Sequence, residues 1–385
     1  MNSGDRLAGR DDHADREGAA LRVLVNALPL RVGGGATYIV EQLGALSTLP
    51  GLDITVLATT EVADQLTTAC SKSVRVQKCP KRRLPVRLLH EQCVLPLIAR
   101  GYDVVYQPGG FAMFGSPRPQ VVTNQNPHHF GPVARSFAKR AGYPWMLRAV
   151  LAAQWRAAHA SVRRAEAFVT TTSAFRSDVE GDLGSRDNLH VLRSGATPMP
   201  DATVLPEDLG VMNSYALTVA NDYIHKDWDG LIRAFQDHPD LPPLVLAGEV
   251  RDEERRTTLE RRTSRSKGRP PSRVTLLGSV PDRGQIAALY KHAQCFVAHS
   301  LLEAGPLTPG EALRQGVRLV ASDIPPHRDA AGDRAYYYDA HDPNALAEAV
   351  RTALRAAPST PIDEEERTWA DNAEHLARLM HSIAR

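Results

Sequence analysis

The sequence predicts an α/β protein of two doubly wound domains facing each other across a cleft. Short apolar runs bounded by turn residues recur along the chain, with room for a helix between them. Parallel strands covered by helices on both faces read this way. The series occurs twice, on either side of a Pro- and Gly-rich linker, SGATPMPDATVLPEDLG, at 194–210. At 385 residues the chain also exceeds one ordinary core, so about two or three domains are expected.

Residues 1–20 are polar and aperiodic, which predicts a disordered tail. LRVLVNAL at 21–28 is a short apolar strand, GGGATY at 33–38 a glycine-rich turn, and YIVEQLGAL has helical spacing. Strand, glycine loop and helix open a parallel α/β unit. ITVLAT (54–59), YDVVYQP (102–108), PQVVTNQ (119–125) and AEAFVTTT (165–172) continue the first series. YALTVAN (215–221), LVLAGE (244–249), RVTLLGS (273–279), CFVAHS (295–300) and VRLVAS (317–322) form the second. The predicted domains are 21–200 and 205–362. A terminal amphipathic helix at 363–385, with Trp369, Leu376, Met380 and Ile383 on one face behind acids 363–366, is expected to dock on one of them. Ligands of such sheets bind outside the carboxyl ends of the strands, so the loops after these strands are expected to line the cleft.

Composition excludes several classes. A net charge of +2, from 46 basic and 44 acidic residues, does not suggest a nucleic-acid partner. No apolar run approaches the roughly 20 residues that span a bilayer, and the N-terminus lacks a signal-peptide pattern. Cys70, Cys79, Cys93 and Cys295 show no CxxC spacing, so free thiols in a reducing cytoplasm fit best.

The segment SLLEAGPLTPGEALRQG, Ser300 to Gly316, carries Glu303 and Glu311 on either side of Gly305, Pro306 and Pro309. Proline inside a helix removes a donor and clashes with the preceding turn, but it suits a first turn. The helix is therefore expected to start near Pro309, with Thr308 as N-cap and Gly316 as its stop. Glu303 then lies on the loop after CFVAHS, within reach of a ligand in the cleft. Glu311 lies in the new first turn, where a carboxylate suits neutral hydroxyls better than phosphate.

SLLEAGPLTPGEALRQGVRLVASDIP resembles the Glu-x7-Glu segment of retaining glycosyltransferases of family 4, which have the GT-B fold of two Rossmann-like domains. The likeness extends through LLGSVPDRGQIAALYKHAQCFVAHS and GDRAYYYDAHDPNALAEAV, covering most of 211–355 and, more loosely, 21–46. It implies transfer of a sugar from a UDP-, GDP- or dTDP-linked donor to a hydroxyl of a small-molecule or glycan acceptor. It also implies a C-terminal helix that packs back on the N-terminal, acceptor-binding domain. Carried over by position, Glu303 meets hydroxyls of the donor sugar and Glu311 the ribose. The amides around Gly305, Pro306, Leu307 and Thr308 meet the diphosphate, and backbone near Val280, in the GSV loop at 278–280, meets the base. The chain departs from the usual EGFGLPxxE, with Gly305 at the phenylalanine position and Pro306 at a glycine position. Asp329 stands where glutamate is common.

A leaving diphosphate needs cations. Lys226, in VANDYIHKDWDGLIRAF, matches the family's phosphate-binding lysine, but Asn221 stands where an arginine is usual; His225 is a candidate substitute or a packing residue. Asp227-Trp228-Asp229 is formally a DxD, yet Asp227 falls where a helix N-cap belongs, so no metal is expected. Gly33, Gly34 and Gly35 do not make a dinucleotide fingerprint. They permit close approach of backbone to the donor phosphates and acceptor, or form a plain tight turn.

In VVTNQNPHHF, Asn126 cannot act as a base, whereas His128 can. Between 132 and 165 lie seven Arg or Lys and no acid, with Tyr143, Trp145 and Trp155 among them. A solvated face of an arginine-rich chain explains this most simply; weak peripheral contact with an anionic membrane is the other reading. The rival functions are a GT-B-like sugar-nucleotide epimerase and a non-catalytic sugar-nucleotide-binding protein.

Overall fold

In the computed structural model, every apolar run named above becomes a parallel strand. The structure describes residues 20–30, 33–71, 73–195, 199–202, 204–209, 214–263, 273–361 and 368–384. The N-terminal tail, the acids at 363–366 and parts of the linker lie outside them.

The first unit contains β1 (Leu21–Asn26), α1 (Gly34–Leu46), β2 (Leu52–Thr59), α2 (Thr60–Ala69), β3 (Val74–Cys79), α3 (Leu84–Leu89) and α4 (Leu95–Ala99). It continues with β4 (Val104–Gln107), β5 (Gln120–Asn124), α5 (Gly131–Arg140), α6 (Trp145–Arg164), β6 (Ala167–Thr170), α7 (Ser173–Leu183) and β7 (Leu189–Val191). Its seven parallel strands run in the order β3-β2-β1-β4-β5-β6-β7. The second unit contains β8 (Tyr215–Val219), α8 (Trp228–Asp237), β9 (Leu244–Ala247), α9 (Glu253–Thr263), β10 (Val274–Gly278), α10 (Arg283–His292) and β11 (Ala293–Ala298). It ends with α11 (Thr308–Arg314), β12 (Arg318–Ser322), α12 (Pro325–Ala331), β13 (Ala335–Tyr338) and α13 (Pro343–Arg355), before α14 (Trp369–Ile383). Its six parallel strands run β10-β9-β8-β11-β12-β13.

Strands β3, β7 and β13 extend the expected set, and all three are peripheral. VRVQKC of β3 leaves most side chains toward solvent, as an edge strand does. The β4–β5 connection, 108–119, holds no helix, contrary to the spacing-based expectation.

The strand orders fix where a ligand goes. In each sheet the order reverses between a first and a fourth strand, β1/β4 and β8/β11, and such switch points open a crevice at the carboxyl ends. The passage from β1 into α1 carries the three glycines, the loop after β8 carries Asn221 and Lys226, and the loop after β11 carries Glu303.

Helix α14 returns to the N-terminal unit. Ala373, Leu376 and Met380 join the core formed by Ile39 and Leu43 of α1 and by β1, β2 and β4, while Ile383 packs at its margin. Burying each of the larger side chains contributes about 1.5–3 kcal/mol. Trp369 meets Tyr38 edge-on at 5.2 Å. Asn372 accepts from Gln42 Nε2 (2.7 Å) and donates to the Arg193 carbonyl (2.8 Å). The helix begins with a capping box between Thr368 and Asp371. Among the described residues no helix is long and apolar enough to cross a membrane.

Candidate active site

Because β8 and β11 are neighbours, the loops that follow them run side by side and are stitched together. Leu301 N donates to the His225 carbonyl (2.7 Å), and so does Ser300 Oγ (3.1 Å). A 3-10 turn, Ile224–Lys226, ends at Asp227, which adopts a left-handed conformation (φ 36°) and caps α8 by accepting from Gly230 N at 3.1 Å. Aspartate tolerates that conformation better than most residues. This sharp turn presents the Lys226 ammonium to the Glu303 carboxylate, with which it forms a salt bridge. The side chains are 18% and 9% exposed, so little water screens the pair.

Burial is the largest influence on the Glu303 carboxyl and pushes it up, but the Lys226 charge and hydrogen bond, with the charges of His225 and His327, together outweigh it and hold the group at about 2. His225 and His327 favour the carboxylate too, but only when charged. Burial holds both imidazoles neutral, at about 3 and about 4, so Lys226 is the operative partner at neutral pH. His225 therefore supplies no second cation where Asn221 replaces an arginine. His327, on α12, was not singled out by its sequence. Its Nδ1 lies 3.0 Å from the Ser322 carbonyl, which can only accept, so Nδ1 carries the proton.

Glu311 points to different partners. Tyr290 Oη donates to its Oε2 (3.1 Å), and both terminal nitrogens of Arg283 reach its Oε1 (3.3 Å). From the other domain, Glu41 of α1 feels this pair: burial raises its carboxyl, Arg283 lowers it and Glu311 raises it. Glu303 and Glu311 thus have separate partners, one on each side of the break before α11.

The helix start differs by one residue from expectation. Thr308 is the first helical residue and Leu307 occupies the cap position without a side-chain cap bond, so Thr308 is not the N-cap. Pro309 still sits in the first turn and Gly316 (φ 67°) still ends the helix. Gly305 has a packing reason to be glycine: a Cβ there would collide with Thr171 Oγ1 of the N-terminal domain. Beside it, Thr172 Oγ1 donates to the Ala304 carbonyl (2.6 Å), and Asp329 accepts from Ala174 N (2.7 Å). The two domains are clamped at this end of the cleft, and Asp329 serves the clamp.

Opposite Lys226 stands the loop after β5. His128 packs against Phe137 and, edge-on, against His225, with ring centroids 5.5 Å apart in each case. Burial lowers its pKa and so keeps it neutral. Asn126 is occupied locally, accepting from His128 N at 3.0 Å. Gly33 needs its glycine for φ 119°, and its α-carbon faces Asn221: a Cβ there would lie 3.2 Å from Asn221 Nδ2. Gly34 and Gly35 open α1. Val280, in the loop after β10, is partly buried against the core cluster that includes Ala298 and Ala312.

The DxD carboxylates are both engaged. Asp227 caps α8, and Asp229 pairs with Arg255 (2.7 Å) and Arg262. Among the described residues, no group of three or more His, Cys, Asp or Glu side chains is arranged to hold a metal ion.

Two parallel α/β domains, clamped at one end and facing through loops rich in Gly, Lys and Glu, define the GT-B class. Residues 207–376 match the family described as glycosyl transferases group 1. The fold is similar to that of HepE from Anabaena in complex with UDP and glucose (TM-score 0.63, 17% identity, 94% of this chain and 97% of that chain). Sucrose-phosphate synthase from Thermosynechococcus elongatus is similar to the same degree (TM-score 0.63, 17% identity, 95% and 96%). So is a protein described as a UDP-N-acetylglucosamine 2-epimerase from Listeria monocytogenes, at TM-score 0.57, 12% identity, 94% and 96%. No curated protein matches the sequence.

Proposed function

We propose that the chain transfers a sugar from a UDP-linked donor to an acceptor hydroxyl, with retention of anomeric configuration. The observation that carries this reading is the Lys226–Glu303 pair, with Glu311 on a separate helix of the same cleft. The Lys226 ammonium meets the donor diphosphate and stabilises it as it leaves. Glu303, a carboxylate at any pH near neutral, accepts hydrogen bonds from the sugar hydroxyls. Glu311 exchanges its contact with Arg283 for the ribose hydroxyls. Backbone at 305–308 faces the phosphates, backbone near Val280 the base, and Gly33 with Asn221 bounds the phosphate end. UDP is the favoured nucleotide because HepE, of like fold, was captured with UDP and with UDP-glucose.

In the transfer the bond from the anomeric carbon to the phosphate oxygen breaks, and the acceptor oxygen bonds the same carbon from the same face. The acceptor proton ends on the departing phosphate oxygen. Neutral His128 accepts a hydrogen bond from the incoming hydroxyl and orients it. An epimerase would need two groups able to exchange protons at the sugar ring. Glu303, held at about 2 by Lys226, is a poor proton carrier, which favours transfer.

Replacing each glutamate separates the roles. Glu311→Ala should weaken UDP binding by about ten-fold or more, the loss of hydrogen bonds to a charged group. Glu303→Ala should cut turnover and leave UDP affinity within a few-fold. Calorimetric titration with UDP and turnover assays decide it; wild-type binding and turnover in both variants would remove the assignment.

A further inference from the structure

A cavity of about 140 Å³ opens between the first turns of α8 and α13, and Asp227, Arg233, Ala234, His299, Asp342 and Leu346 help to line it. Lys226, Glu303 and Glu311 do not line it, and the transfer described above makes no use of it. His299 follows β11 directly and is 4% exposed. Its Nδ1 is satisfied by Tyr338 Oη at 2.7 Å. Its Nε2 is buried without a hydrogen-bond partner among the described residues. Asp227 Oδ2, on the wall of the same cavity, is 3.8 Å from that nitrogen, beyond hydrogen-bond reach. A buried polar atom left in this state calls for a partner. The helix ends beside it are already closed: Asp227 accepts from Gly230 N (3.1 Å) and Asp342 from Asn344 N (2.8 Å). Their carboxylates oppose an anion in the cavity, and the Arg233 guanidinium opposes a cation.

We propose that this cavity is a binding site for a small neutral polyol, up to the size of one sugar ring, separate from the donor cleft. A hydroxyl both donates and accepts. It therefore satisfies His299 Nε2 whichever ring nitrogen carries the proton. Neighbouring hydroxyls of the same ligand can donate to the Asp227 and Asp342 carboxylates and accept from Arg233. A phosphate dianion brings only acceptors to the two carboxylates, and an ammonium brings only donors to the guanidinium. Ala234 and Leu346 supply an apolar wall for the C–H face of a ring. The size agrees. At ~30 Å³ for each water in the liquid, the cavity holds the equivalent of roughly five waters, which suits a single ring and not a nucleotide.

The experiment titrates the full chain with glucose and, separately, with inorganic phosphate, read by calorimetry and by amide hydrogen exchange. The proteins are wild type, Arg233→Gln, His299→Phe and Glu303→Ala. Arg233 is exposed, so its replacement is safe for folding. His299→Phe keeps a ring stacked on Tyr338 and removes both nitrogens. Glu303→Ala marks the donor cleft. Saturable glucose binding that slows amide exchange across 228–235 and 340–346, survives Glu303→Ala and weakens about ten-fold or more in Arg233→Gln supports the site. His299→Phe should show a loss of the same order, and if that variant does not fold, Arg233→Gln decides alone. Glucose binding that Arg233→Gln leaves unchanged puts the sugar elsewhere, in the donor cleft if Glu303→Ala abolishes it, and overturns the site. Phosphate binding in place of glucose, lost in Arg233→Gln, overturns the neutral ligand. Binding of neither leaves the cavity to water and overturns the proposal.

Discussion

Replacing Lys226 by methionine keeps most of the side chain's length and removes its charge, so it isolates the ammonium. In the intact protein the Glu303 carboxyl sits at about 2 against an ordinary 4.5, although burial alone would raise it. A folded-state value below the unfolded one stabilises the fold above the unfolded pKa, and this contribution is lost as pH falls toward about 2. The difference corresponds to ~3 kcal/mol at neutral pH. In Lys226→Met the strongest charge opposing burial is gone, so the Glu303 carboxyl rises, and at neutral pH its buried charge favours unfolding. The variant should melt on the order of 5–10 °C below the wild type at neutral pH. Lowering the pH protonates Glu303 in the variant and relieves the buried charge, so the gap should narrow as pH approaches about 4. Transfer should fall on the order of a hundredfold or more. Scanning calorimetry of both proteins across this range is the assay. A gap that stays constant or widens as pH falls refutes the assignment of Lys226 as the group that holds Glu303 ionised.

Other perturbations test the frame around the site. Gly305→Ala should force the Ala304–Gly305 loop away from Thr171 and lower turnover, and Thr171→Gly in the same chain should restore part of it; equal activity of Gly305→Ala and wild type would contradict the close approach. Asp329→Ala removes a cross-domain acceptor from the start of α7 and should cost about 0.5–2 kcal/mol, read by calorimetry. Asn372→Ala leaves Gln42 Nε2 without its partner on α14 and should cost about 1–3 kcal/mol, with faster amide exchange across 369–383.

What the sequence disclosed follows from how local each signal is. The interior strands were legible because both faces are buried, which makes their apolar runs nearly continuous, as in VVYQ of β4 and LVLA of β9. Strands β3, β7 and β13 have a solvated side or few residues, so their runs are broken or too short to stand out. Glu303 and Glu311 could be picked out because proline and glycine break the chain between them, and Lys226 because it stands between a strand and a helix; all three resemble known segments. Their partners could not. His327 meets Glu303 through tertiary packing of α12, Arg283 meets Glu311 across separate helices, and Thr171 meets Gly305 from the other domain. None of these pairings leaves a spacing pattern. The Thr308 error is of the kind that helix ends invite, since proline is acceptable at either of the first two positions and the last choice belongs to packing.

The most direct test of the account is product analysis after incubating the protein with UDP-glucose, with and without acceptor alcohols, by NMR of the anomeric signals. The account predicts a new glycoside only when an acceptor is present, with the donor's anomeric configuration, and its loss in Glu303→Ala and Lys226→Met. An isomerised nucleotide sugar formed without acceptor, a product of inverted configuration, or transfer that survives both substitutions would contradict it.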